Sequence, residues 1–377
     1  MTTGKQIPHW KDKVLFTPGP LTTSPTVKQA MLRDLGSRDI EFIGLVKDIR
    51  DKLVELGQVS LDEYTAVLMQ GSGTFGLEAV VSSTVPPAGK LLIIVNGAYG
   101  KRLAKISSVL QIDAATLEYA ENTTPNLKEI EDMLKTDSKI TNVSVVHCET
   151  TTGIVNPIGA IGEIVAKSGA KYFVDAMSSF GAVPIDLDEC KIDYLVSSAN
   201  KCIEGVPGFS FVLCRLSSLK GTAGYARSVS FDLLDQYQGF EKNGQFRFTP
   251  PTHALAAFGR ALQELETEGG VGGRAERYRR NYETLVDGMR RMGFTEYLKP
   301  KDQGYIITSF LYPDDSNFSF EKFYESLNQK DYVIYPGKVS DADCFRIGSI
   351  GRIFEADVKA LLAAIAETII EMGVELK

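Results

Sequence analysis

Histidine, paired cysteines and long apolar runs are all scarce in this 377-residue chain, and each scarcity excludes a class of protein. The three histidines, His9, His147 and His253, lie far apart in the sequence, so we expect no metal site built on histidine. The five cysteines form no C-x-x-C pair, and their odd number is typical of a reducing compartment. The sequence therefore predicts a protein without a bound metal or a disulfide framework.

Excess positive charge and membrane-directed segments are also missing. The net charge of −7 argues against a nucleic-acid-binding surface. No run approaches the ~18 apolar residues that a membrane-spanning helix needs. The first residues, MTTGKQIPHWKDK, lack the apolar core and the cleavage site of a signal peptide. We expect a cytoplasmic protein with no nucleic-acid or membrane partner.

The order of the predicted elements indicates an α/β fold. Strand patterns alternate with helix patterns between residues 64 and 213, which predicts a mainly parallel sheet with right-handed crossovers. The predicted strands at 91–95 and 209–213 are mostly apolar on both faces, as a sheet covered by helices requires. We expect an irregular segment over 1–24, a large domain over 25–252 and a smaller C-terminal α+β domain over 253–377.

Helix patterns dominate two other parts of the chain. Residues 25–57 read as helix, with Ser24 and Pro25 at its start. Two long helices are predicted at 253–268 and 272–292, separated by a pair of glycines. The first half of the second helix carries an arginine run, and because such a run most often forms a solvated face, we expect it to be exposed: Arg274, Arg277, Arg279 and Arg280.

The stretch 171–201 places a carboxylate and an amine at one edge of the predicted sheet. Asp175 follows the predicted strand 171–174, and Lys201 follows the predicted strand 193–198. Ligands of open α/β sheets bind at the carboxyl ends of the strands. A lysine that forms a Schiff base and a carboxylate that holds a pyridinium nitrogen are what pyridoxal phosphate (PLP) requires of a protein. The alternative is that both are ordinary surface residues at strand ends.

Residues 71–76, Gly-Ser-Gly-Thr-Phe-Gly, follow a predicted strand and open a predicted helix. Backbone N–H groups at a helix N-terminus bind phosphate, and Ser72 and Thr74 add hydroxyl donors. The run also matches the G-x-G-x-x-G of nicotinamide-binding folds, which need an acidic residue at the end of the next strand. That strand ends in Val95-Asn96-Gly97 instead. A cup for a single phosphate is therefore favoured.

Three further features are expected near the same edge. Tyr99 lies in a strand-to-helix loop, where a ring either stacks on a flat cofactor or packs as an ordinary tyrosine. Residues 147–153, His-Cys-Glu-Thr-Thr-Thr-Gly, either contact a cofactor oxygen and orient Asp175 or form only a polar turn. Arg346 interrupts an apolar strand and must be paired, either with the carboxylate or phosphonate of a substrate or in an internal salt bridge.

The order of these features along the chain resembles the fold-type I PLP-dependent aminotransferases, in the branch that holds the alanine–glyoxylate and serine aminotransferases. Five stretches narrow the resemblance to a family of that branch that acts on 2-aminoethylphosphonate and pyruvate: residues 16–24, 68–75, 147–153, 197–208 and 335–338. The resemblance covers the chain from about residue 14 to its end, and residues 197–208 are its most specific part.

The resemblance implies that an amino group passes from 2-aminoethylphosphonate to pyruvate, giving phosphonoacetaldehyde and L-alanine with PLP as cofactor. Lys201 is then the Schiff-base lysine, and Asp175 holds the pyridine nitrogen. The resemblance implies these further cofactor contacts: Ser72, Gly73 and Thr74 at the phosphate, Tyr99 on the ring, and Thr150 or Thr151 near the phenolic oxygen.

The same resemblance implies a homodimer and a substrate pocket. Thr249 would reach the phosphate of the neighbouring subunit's PLP, so the active sites would lie at a subunit interface. Arg346 would bind the anionic group of the substrate, and the loop that contains Thr17 and Gly19 would line the pocket.

Other activities remain open at this point. An alanine- or serine–glyoxylate aminotransferase is the nearest alternative. A PLP-dependent desulfurase needs a cysteine on a mobile loop, whereas Cys202 is predicted to be packed. A nicotinamide-dependent dehydrogenase is disfavoured by the missing acid, and a non-catalytic binding protein that kept the fold is a further alternative. The sequence assigns no role to Glu149 or Glu204.

Overall fold

A computed structural model describes residues 12–376 of the chain. The predictions for His9 and for the first part of the segment 1–24 lie outside the described residues. Helices α1 to α12 span Pro25–Gln29, Ile40–Leu56, Gly73–Thr84, Ala98–Val109, Leu127–Thr136, Ile158–Ser168, Leu216–Lys220, Leu233–Asn243, Thr252–Thr267, Gly270–Met292, Phe320–Gln329 and Glu355–Met372. Strands β1 to β14 span Val14–Leu15, Tyr64–Gln70, Lys90–Val95, Asp113–Glu118, Ile140–Val146, Cys148–Glu149, Ile154–Val155, Lys171–Asp175, Tyr194–Ser198, Phe209–Arg215, Ile307–Leu311, Tyr332–Val333, Tyr335–Pro336 and Cys344–Gly348.

The central element is a seven-stranded sheet in the order β2-β10-β9-β8-β5-β3-β4. The pairs β9–β8, β8–β5, β5–β3 and β3–β4 are parallel, as the alternation of strands and helices predicts. The expectation of parallel pairing is wrong for β10, which runs antiparallel to both β9 and β2. The reason is that residues 199–208, between β9 and β10, form no helix. A short connection returns the chain antiparallel, because a parallel return needs a longer crossover.

The sheet is buried by helices on its two faces. Strands β2, β3, β5, β8, β9 and β10 are almost entirely buried, and their apolar residues belong to one core cluster. Helices α3, α4 and α6 follow β2, β3 and β7 in the chain and pack on this sheet. The edge strand β4 was not predicted, because its sequence, DAATLE, is mostly exposed and lacks an apolar pattern.

The single helix predicted over 25–57 is interrupted. Helix α1 passes into a 3₁₀ turn at Ala30–Leu32, and residues 33–39 are not helical before α2 begins. The carboxylate of Asp39 accepts a 2.9 Å hydrogen bond from the N–H of Glu41 and so caps α2. A capping residue inside the predicted helix thus marks the start of a second one.

A three-stranded antiparallel sheet, in the order β11-β14-β13, lies in the C-terminal part of the chain. Its apolar residues share a second core cluster with residues of α10, α11 and α12. Helix α9, which falls within the predicted 253–377 unit, instead contributes residues from Ala254 to Leu265 to the core cluster of the large sheet. Among the described residues, no helix is long and apolar enough to cross a membrane.

Candidate active site

Asp175 and Lys201 lie at the same edge of the central sheet. Asp175 is the last residue of β8, and β8 pairs in parallel with β9, whose end leads to Lys201 through a two-residue turn. The carboxylate of Asp175 is buried and accepts a 2.9 Å hydrogen bond from the N–H of Met177. Burial raises the pKa of Asp175 to about 6, against the opposing charges of Arg102 and Lys201. The buried carboxylate therefore holds a proton more readily than an exposed one.

The amine of Lys201 is enclosed by the N-terminal segment. Its Nζ atom donates a 2.7 Å hydrogen bond to the carbonyl oxygen of Pro18. Burial lowers the pKa of the Lys201 amine, although the charges of Tyr99, Cys202 and Asp175 oppose that shift. A lowered pKa increases the fraction of neutral amine, which is the form that acts as a nucleophile or a base.

Gly19 has no room for a side chain beside this amine. A Cβ atom at residue 19 would lie 2.7 Å from the Nζ atom of Lys201, and its φ of +121° is rarely adopted by other residues. The hydroxyl of Thr17 donates a 2.6 Å hydrogen bond to the carbonyl oxygen of Pro20, so it holds the turn. The predicted pocket-lining loop is thus brought next to the lysine, with Gly19 rather than Thr17 closest to it.

The predicted phosphate cup forms the turn between β2 and α3. Ser72 is the N-cap residue of α3, and within residues 12–376 its side chain makes no capping hydrogen bond. The N–H of Gly71 donates a 3.0 Å hydrogen bond to the carbonyl oxygen of Gly208, which ties the cup to the segment that carries Lys201. An uncapped helix N-terminus with nearby hydroxyl groups is suited to an anion such as phosphate.

Arg102 is a site residue that the sequence did not reveal. It lies one turn after Tyr99 on α4, and its Nη1 atom donates a 3.3 Å hydrogen bond to the hydroxyl of Thr74. Its guanidinium carbon lies 4.9 Å from the centre of the Tyr99 ring. Only its i+3 spacing from Tyr99 could have suggested this place, because residues three apart share one face of a helix.

The ring of Tyr99 lies among several positive charges. Besides Arg102, the Nζ atom of Lys338 lies 4.6 Å from the ring centre. Burial raises the pKa of Tyr99, but hydrogen bonding to Thr150 and the charges of three cations lower it overall: Lys201, Lys338 and Arg346. This part of the site therefore attracts negative charge.

Glu149 and Thr151, in the polar stretch after β5, hold the start of α4. The Glu149 carboxylate accepts hydrogen bonds from the N–H groups of Gly100 (2.9 Å) and Tyr99 (3.3 Å). The hydroxyl of Thr151 accepts a 3.1 Å hydrogen bond from Ala98 and donates one of 3.1 Å to Glu149. Burial raises the pKa of Glu149 to about 7. Glu149 and Thr151 thus cap the N-terminus of α4, which carries Tyr99.

Gly97 permits the carboxylate of Glu149 to approach the start of α4 closely. A Cβ atom at residue 97 would lie 2.5 Å from the carboxyl group of Glu149, so the buried carboxylate fits only against a glycine.

Arg346 is buried in β14 and points toward Tyr99. Its Nε atom donates a 2.9 Å hydrogen bond to the carbonyl oxygen of Pro336, and its Nη1 atom one of 2.7 Å to that of Thr150. Burial lowers the pKa of Arg346, and none of the groups that oppose the shift is a carboxylate. Within the described part of the chain no salt bridge pairs Arg346 with an acid, so the internal salt bridge considered from the sequence does not form.

The exposure predicted for the arginine run on α10 is wrong for two of its four members. Arg274 and Arg277 are buried and form salt bridges with Glu204 and Glu268, including one of 2.7 Å from Arg277 to Glu204. The other two, Arg279 and Arg280, are exposed as predicted. The sequence could not show the difference, because the acidic partners lie in another loop and at the preceding helix terminus.

Glu204 links this buried network to the turn that carries Lys201. It lies three residues after Lys201 with a φ of +64°, and its carboxylate also accepts a 2.6 Å hydrogen bond from the hydroxyl of Tyr278. Its own N–H donates a 2.7 Å hydrogen bond to the carbonyl oxygen of Lys201. The turn that presents the lysine is therefore anchored to α10.

Thr249 lies apart from the buried site, on an exposed segment beside the phosphate cup. The carbonyl oxygens of Phe248 and Thr249 accept hydrogen bonds of 3.1 and 2.9 Å from the side chain of Gln70, at the end of β2. Thr249 is therefore exposed and is attached to the end of β2 through its backbone.

Comparison with known proteins assigns the family. The family model described as "Aminotransferase class-V" matches residues 26–331 of this chain. The chain belongs to the class-V aminotransferase family. Among its relatives, the 2-aminoethylphosphonate–pyruvate transaminases of Bacillus cereus and Vibrio cholerae are each 49% identical over 358 residues. These matches cover 95% and 94% of this chain and 98% and 97% of the relatives.

Solved structures of aminotransferases share the whole fold. The ureidoglycine–glyoxylate aminotransferase of Bacillus subtilis superimposes with a TM-score of 0.89 at 24% identity, covering 98% of this chain and 96% of that one. The alanine–glyoxylate aminotransferase of Nostoc sp. superimposes with a TM-score of 0.87 at 25% identity, covering 96% of each chain. The α/β fold and the recognised branch of aminotransferases are thus confirmed.

As a class-V aminotransferase, the chain uses pyridoxal phosphate, and its site has the donor set that this cofactor requires. A buried amine and a buried carboxylate lie at neighbouring strand ends, and an uncapped helix N-terminus with Arg102 close by offers a place for a phosphate. The nicotinamide alternative is excluded by the family. Asn96, in the place of the acid it would need, donates hydrogen bonds to Asn156 (2.7 Å) and Thr123 (3.0 Å).

Cys202 is packed, as predicted. It is fully buried, and its Sγ atom donates a 3.1 Å hydrogen bond to the carbonyl oxygen of Ser178. Burial raises the pKa of the Cys202 thiol to about 12. This thiol is therefore unsuited to the nucleophilic role that a desulfurase requires.

Proposed function

We propose that this class-V aminotransferase transfers the amino group of 2-aminoethylphosphonate to pyruvate, forming phosphonoacetaldehyde and L-alanine. The observation that carries the proposal is Arg346, a buried cation beside Tyr99 that contacts two backbone carbonyls and, within residues 12–376, no carboxylate. A buried charge of this kind calls for an anionic ligand. The relatives at 49% identity, which are named for this activity, support the choice of ligand.

Lys201 and Asp175, at the edge of the sheet, control the protons on the reacting carbon and on the ring nitrogen. When bound, pyridoxal phosphate accepts the amino group from the donor and delivers it to the acceptor, while its ring withdraws electrons from the reacting carbon. The Nζ atom of Lys201 takes the proton from the carbon that bears the amino group and returns one later. The carboxylate of Asp175 keeps a proton on the ring nitrogen by its negative charge.

Other residues of the site hold the cofactor. We assign the phosphate to Ser72, Gly73 and Thr74 at the start of α3, with Arg102 adding positive charge. We assign the ring face to Tyr99 and the phenolic oxygen to the neighbourhood of Thr150. Thr151 and Glu149 position Tyr99 through the N-terminus of α4.

Arg346 serves both substrates in turn. Its guanidinium has five N–H donors, and two of its nitrogens are engaged by backbone carbonyls. The remaining donors match the paired oxygens of either a phosphonate or a carboxylate. One arginine can therefore hold 2-aminoethylphosphonate in the first half of the cycle and pyruvate in the second, with Thr17–Pro20 closing the pocket beside Lys201.

The proposal includes a homodimer in which Thr249 reaches the cofactor phosphate of the partner subunit. Exposed apolar side chains lie close to the phosphate cup: Phe75 is on α3, Phe248 contacts Gln70 through its carbonyl oxygen, and Val229 contacts Arg247 in the same way. Exposed apolar patches of this kind are typical of subunit interfaces. Mixing inactive Lys201→Ala subunits with inactive Thr249→Arg subunits tests the arrangement. Recovery of activity in the mixture is expected, and a monomeric wild-type protein would contradict it.

Two further proposals concern the cellular location and the domain boundary. We place the enzyme in the cytoplasm, where its five unpaired cysteines suit a reducing environment. For the domains, the sequence predicted a boundary between residues 252 and 253, and we propose instead that the large PLP-binding unit extends through α9 to about Gly269. Helix α9 packs in the core of the large sheet, whereas the second half of α10 packs with the small sheet.

The direct test is a survey of amino donors with the purified, PLP-loaded enzyme. Each amine is added without an acceptor, and loss of the visible absorbance of the lysine-bound cofactor is followed. 2-Aminoethylphosphonate and L-alanine are expected to react, and pyruvate is expected to restore the spectrum. Reaction with serine and glyoxylate but not with 2-aminoethylphosphonate would instead identify a glyoxylate-type aminotransferase.

A further inference from the structure

Lys338 lies on a surface loop that is fixed over the active site. The loop joins β13 to β14, and Lys338 reaches back until its Nζ atom is 4.6 Å from the centre of the Tyr99 ring. The N–H of Ser340 donates a 2.9 Å hydrogen bond to Glu121, and the hydroxyl of Tyr297 donates one of 2.7 Å to Asp341. These two contacts hold the loop just after Lys338, although Lys338 itself is exposed.

Lys338 and Arg346 form a pair of positive charges without an acidic partner. Both charges face Tyr99 and lower its pKa. Within residues 12–376 no salt bridge joins either of them to a carboxylate, whereas nearby Lys101 is paired with Glu121. Two neighbouring cations repel each other, so an anion between them gains from both charges.

The phosphonate differs from a carboxylate in charge and in shape. It carries up to two negative charges and three oxygens, while the carboxylate of pyruvate or alanine carries one charge and two oxygens. The planar guanidinium of Arg346 matches two oxygens in one plane. The third oxygen and the second charge of a phosphonate then need a donor from another direction.

We infer that Lys338 is a specificity-determining residue that binds the third oxygen and the second negative charge of the phosphonate. The inference rests on the proposed function and deepens it. The ammonium group is a compact charge with three donors on a flexible stem, which suits a tetrahedral anion. A contact between a cation and an aromatic ring is weak compared with a charge-assisted hydrogen bond, so Lys338 can leave Tyr99 for an anion.

The test compares the two amino donors in separate half-reactions of the PLP-loaded enzyme. Lys338→Gln is expected to lower kcat/KM for 2-aminoethylphosphonate by about 10- to 100-fold, mainly through KM, because a charge-assisted hydrogen bond is lost. The same variant is expected to change kcat/KM for L-alanine less than about 3-fold, since a carboxylate needs Arg346 alone. Lys338→Arg is expected to retain most of the preference. Lys322→Ala, on the exposed face of α11, is the control for the change of net charge.

A binding measurement gives a second readout that does not depend on turnover. Ethylphosphonate and propionate, which carry no amino group, are titrated into the PLP-loaded enzyme by calorimetry. The wild-type enzyme is expected to bind ethylphosphonate more tightly than propionate, and Lys338→Gln is expected to remove that preference.

The outcomes separate the two proposals. Equal losses for both donors in Lys338→Gln would mean that Lys338 only supports Tyr99, and no loss would mean that it has no role; either result overturns the inference. If the wild-type enzyme does not react with 2-aminoethylphosphonate, the proposed function fails. In that case the comparison of ethylphosphonate with propionate still decides whether Lys338 binds the second negative charge of a phosphonate.

Discussion

The Nζ atom of Lys201 donates a 2.7 Å hydrogen bond to the carbonyl oxygen of Pro18, a residue 183 positions earlier in the chain. The segment that contains Pro18 is in turn attached to the small sheet, because the N–H of Gly348 donates a 2.9 Å hydrogen bond to the carbonyl oxygen of Phe16. The segment before α1 thus connects the lysine of the large sheet to the strand that carries Arg346. A movement of the three-stranded sheet would therefore shift Pro18, the hydrogen-bond acceptor of Lys201.

Replacement of Lys201 tests the central assignment. Lys201→Ala is expected to lower the rate of transamination by at least about 10²–10⁴-fold, since the base that moves the proton is lost. The visible absorbance of the covalently bound cofactor is expected to disappear as well. Lys167→Ala, an exposed lysine on α6, is the matched control and is expected to behave like the wild type. Retained turnover in a correctly folded Lys201→Ala protein would refute the assignment.

Asp175 is expected to oppose folding when no cofactor is bound. Burial raises its pKa to about 6 from an ordinary value of 3.8, so the ionised carboxylate is penalised in the folded state above pH 6. In the cofactor-free protein at about pH 8, Asp175→Asn is expected to raise the free energy of unfolding by up to about 3 kcal/mol, from about 1.4 kcal/mol per pKa unit. The gain is expected to decline as the pH falls from 6 toward 3.8, because the wild-type carboxyl then becomes protonated.

Urea unfolding across that pH range checks this prediction. Asp113→Asn, on the exposed strand β4, is the matched control for the same chemical change at the surface. The Asp175→Asn enzyme is expected to lose turnover while its cofactor-free form gains stability, because the charge that holds the ring proton is absent. A variant that is less stable than the wild type at about pH 8 would show that the carboxylate is stabilised by its neighbours instead.

Glu149 is predicted to be a positioning residue for Tyr99. Glu149→Ala leaves the N–H groups of Tyr99 and Gly100 without their acceptor, and loss of a helix cap costs about 0.5–2 kcal/mol. PLP affinity, measured by titration of the cofactor-free protein, is expected to fall as well, since the ring of Tyr99 moves. Glu149→Gln keeps one acceptor oxygen and is expected to restore much of that affinity.

A loss of stability without any loss of PLP affinity would show that Glu149 supports α4 only as a structural cap. Glu118→Ala, at the end of the exposed strand β4, controls for the removal of a carboxylate.

The buried network on α10 allows a comparison of two arginines on one helix. Arg277→Met removes one of the two arginines that pair with Glu204 and Glu268, and breaking a buried ion pair costs about 3–5 kcal/mol. Arg280→Met, three residues further on, removes only an exposed pair with Glu276 and is expected to change stability little. Thermal or urea unfolding of both variants measures the contrast. Similar effects for the two substitutions would refute the structural role of the network.

Local pattern predicted most of the large sheet and the ends of its strands. The strands predicted at 171–174 and 193–198 form at Lys171–Asp175 and Tyr194–Ser198, within one residue at each end, because each has an apolar run with clear boundary residues. The polar edge strand β4 was missed, and the direction of β10 was predicted wrongly. Those two features depend on neighbouring strands and on a connection without a helix, which periodicity does not report.

The site divides in the same way. The sequence alone determined that Asp175, Lys201 and the run at 71–76 follow strands, and parallel strands bring their carboxyl ends to one edge by geometry. The motifs around them also determined the family. Only the tertiary structure decided that Lys338 lies beside Tyr99, that Arg102 contacts Thr74, that Glu149 caps α4, and that Glu204 pairs with Arg277. These contacts join residues distant in the chain, and no local preference of a residue encodes its partner across such a separation.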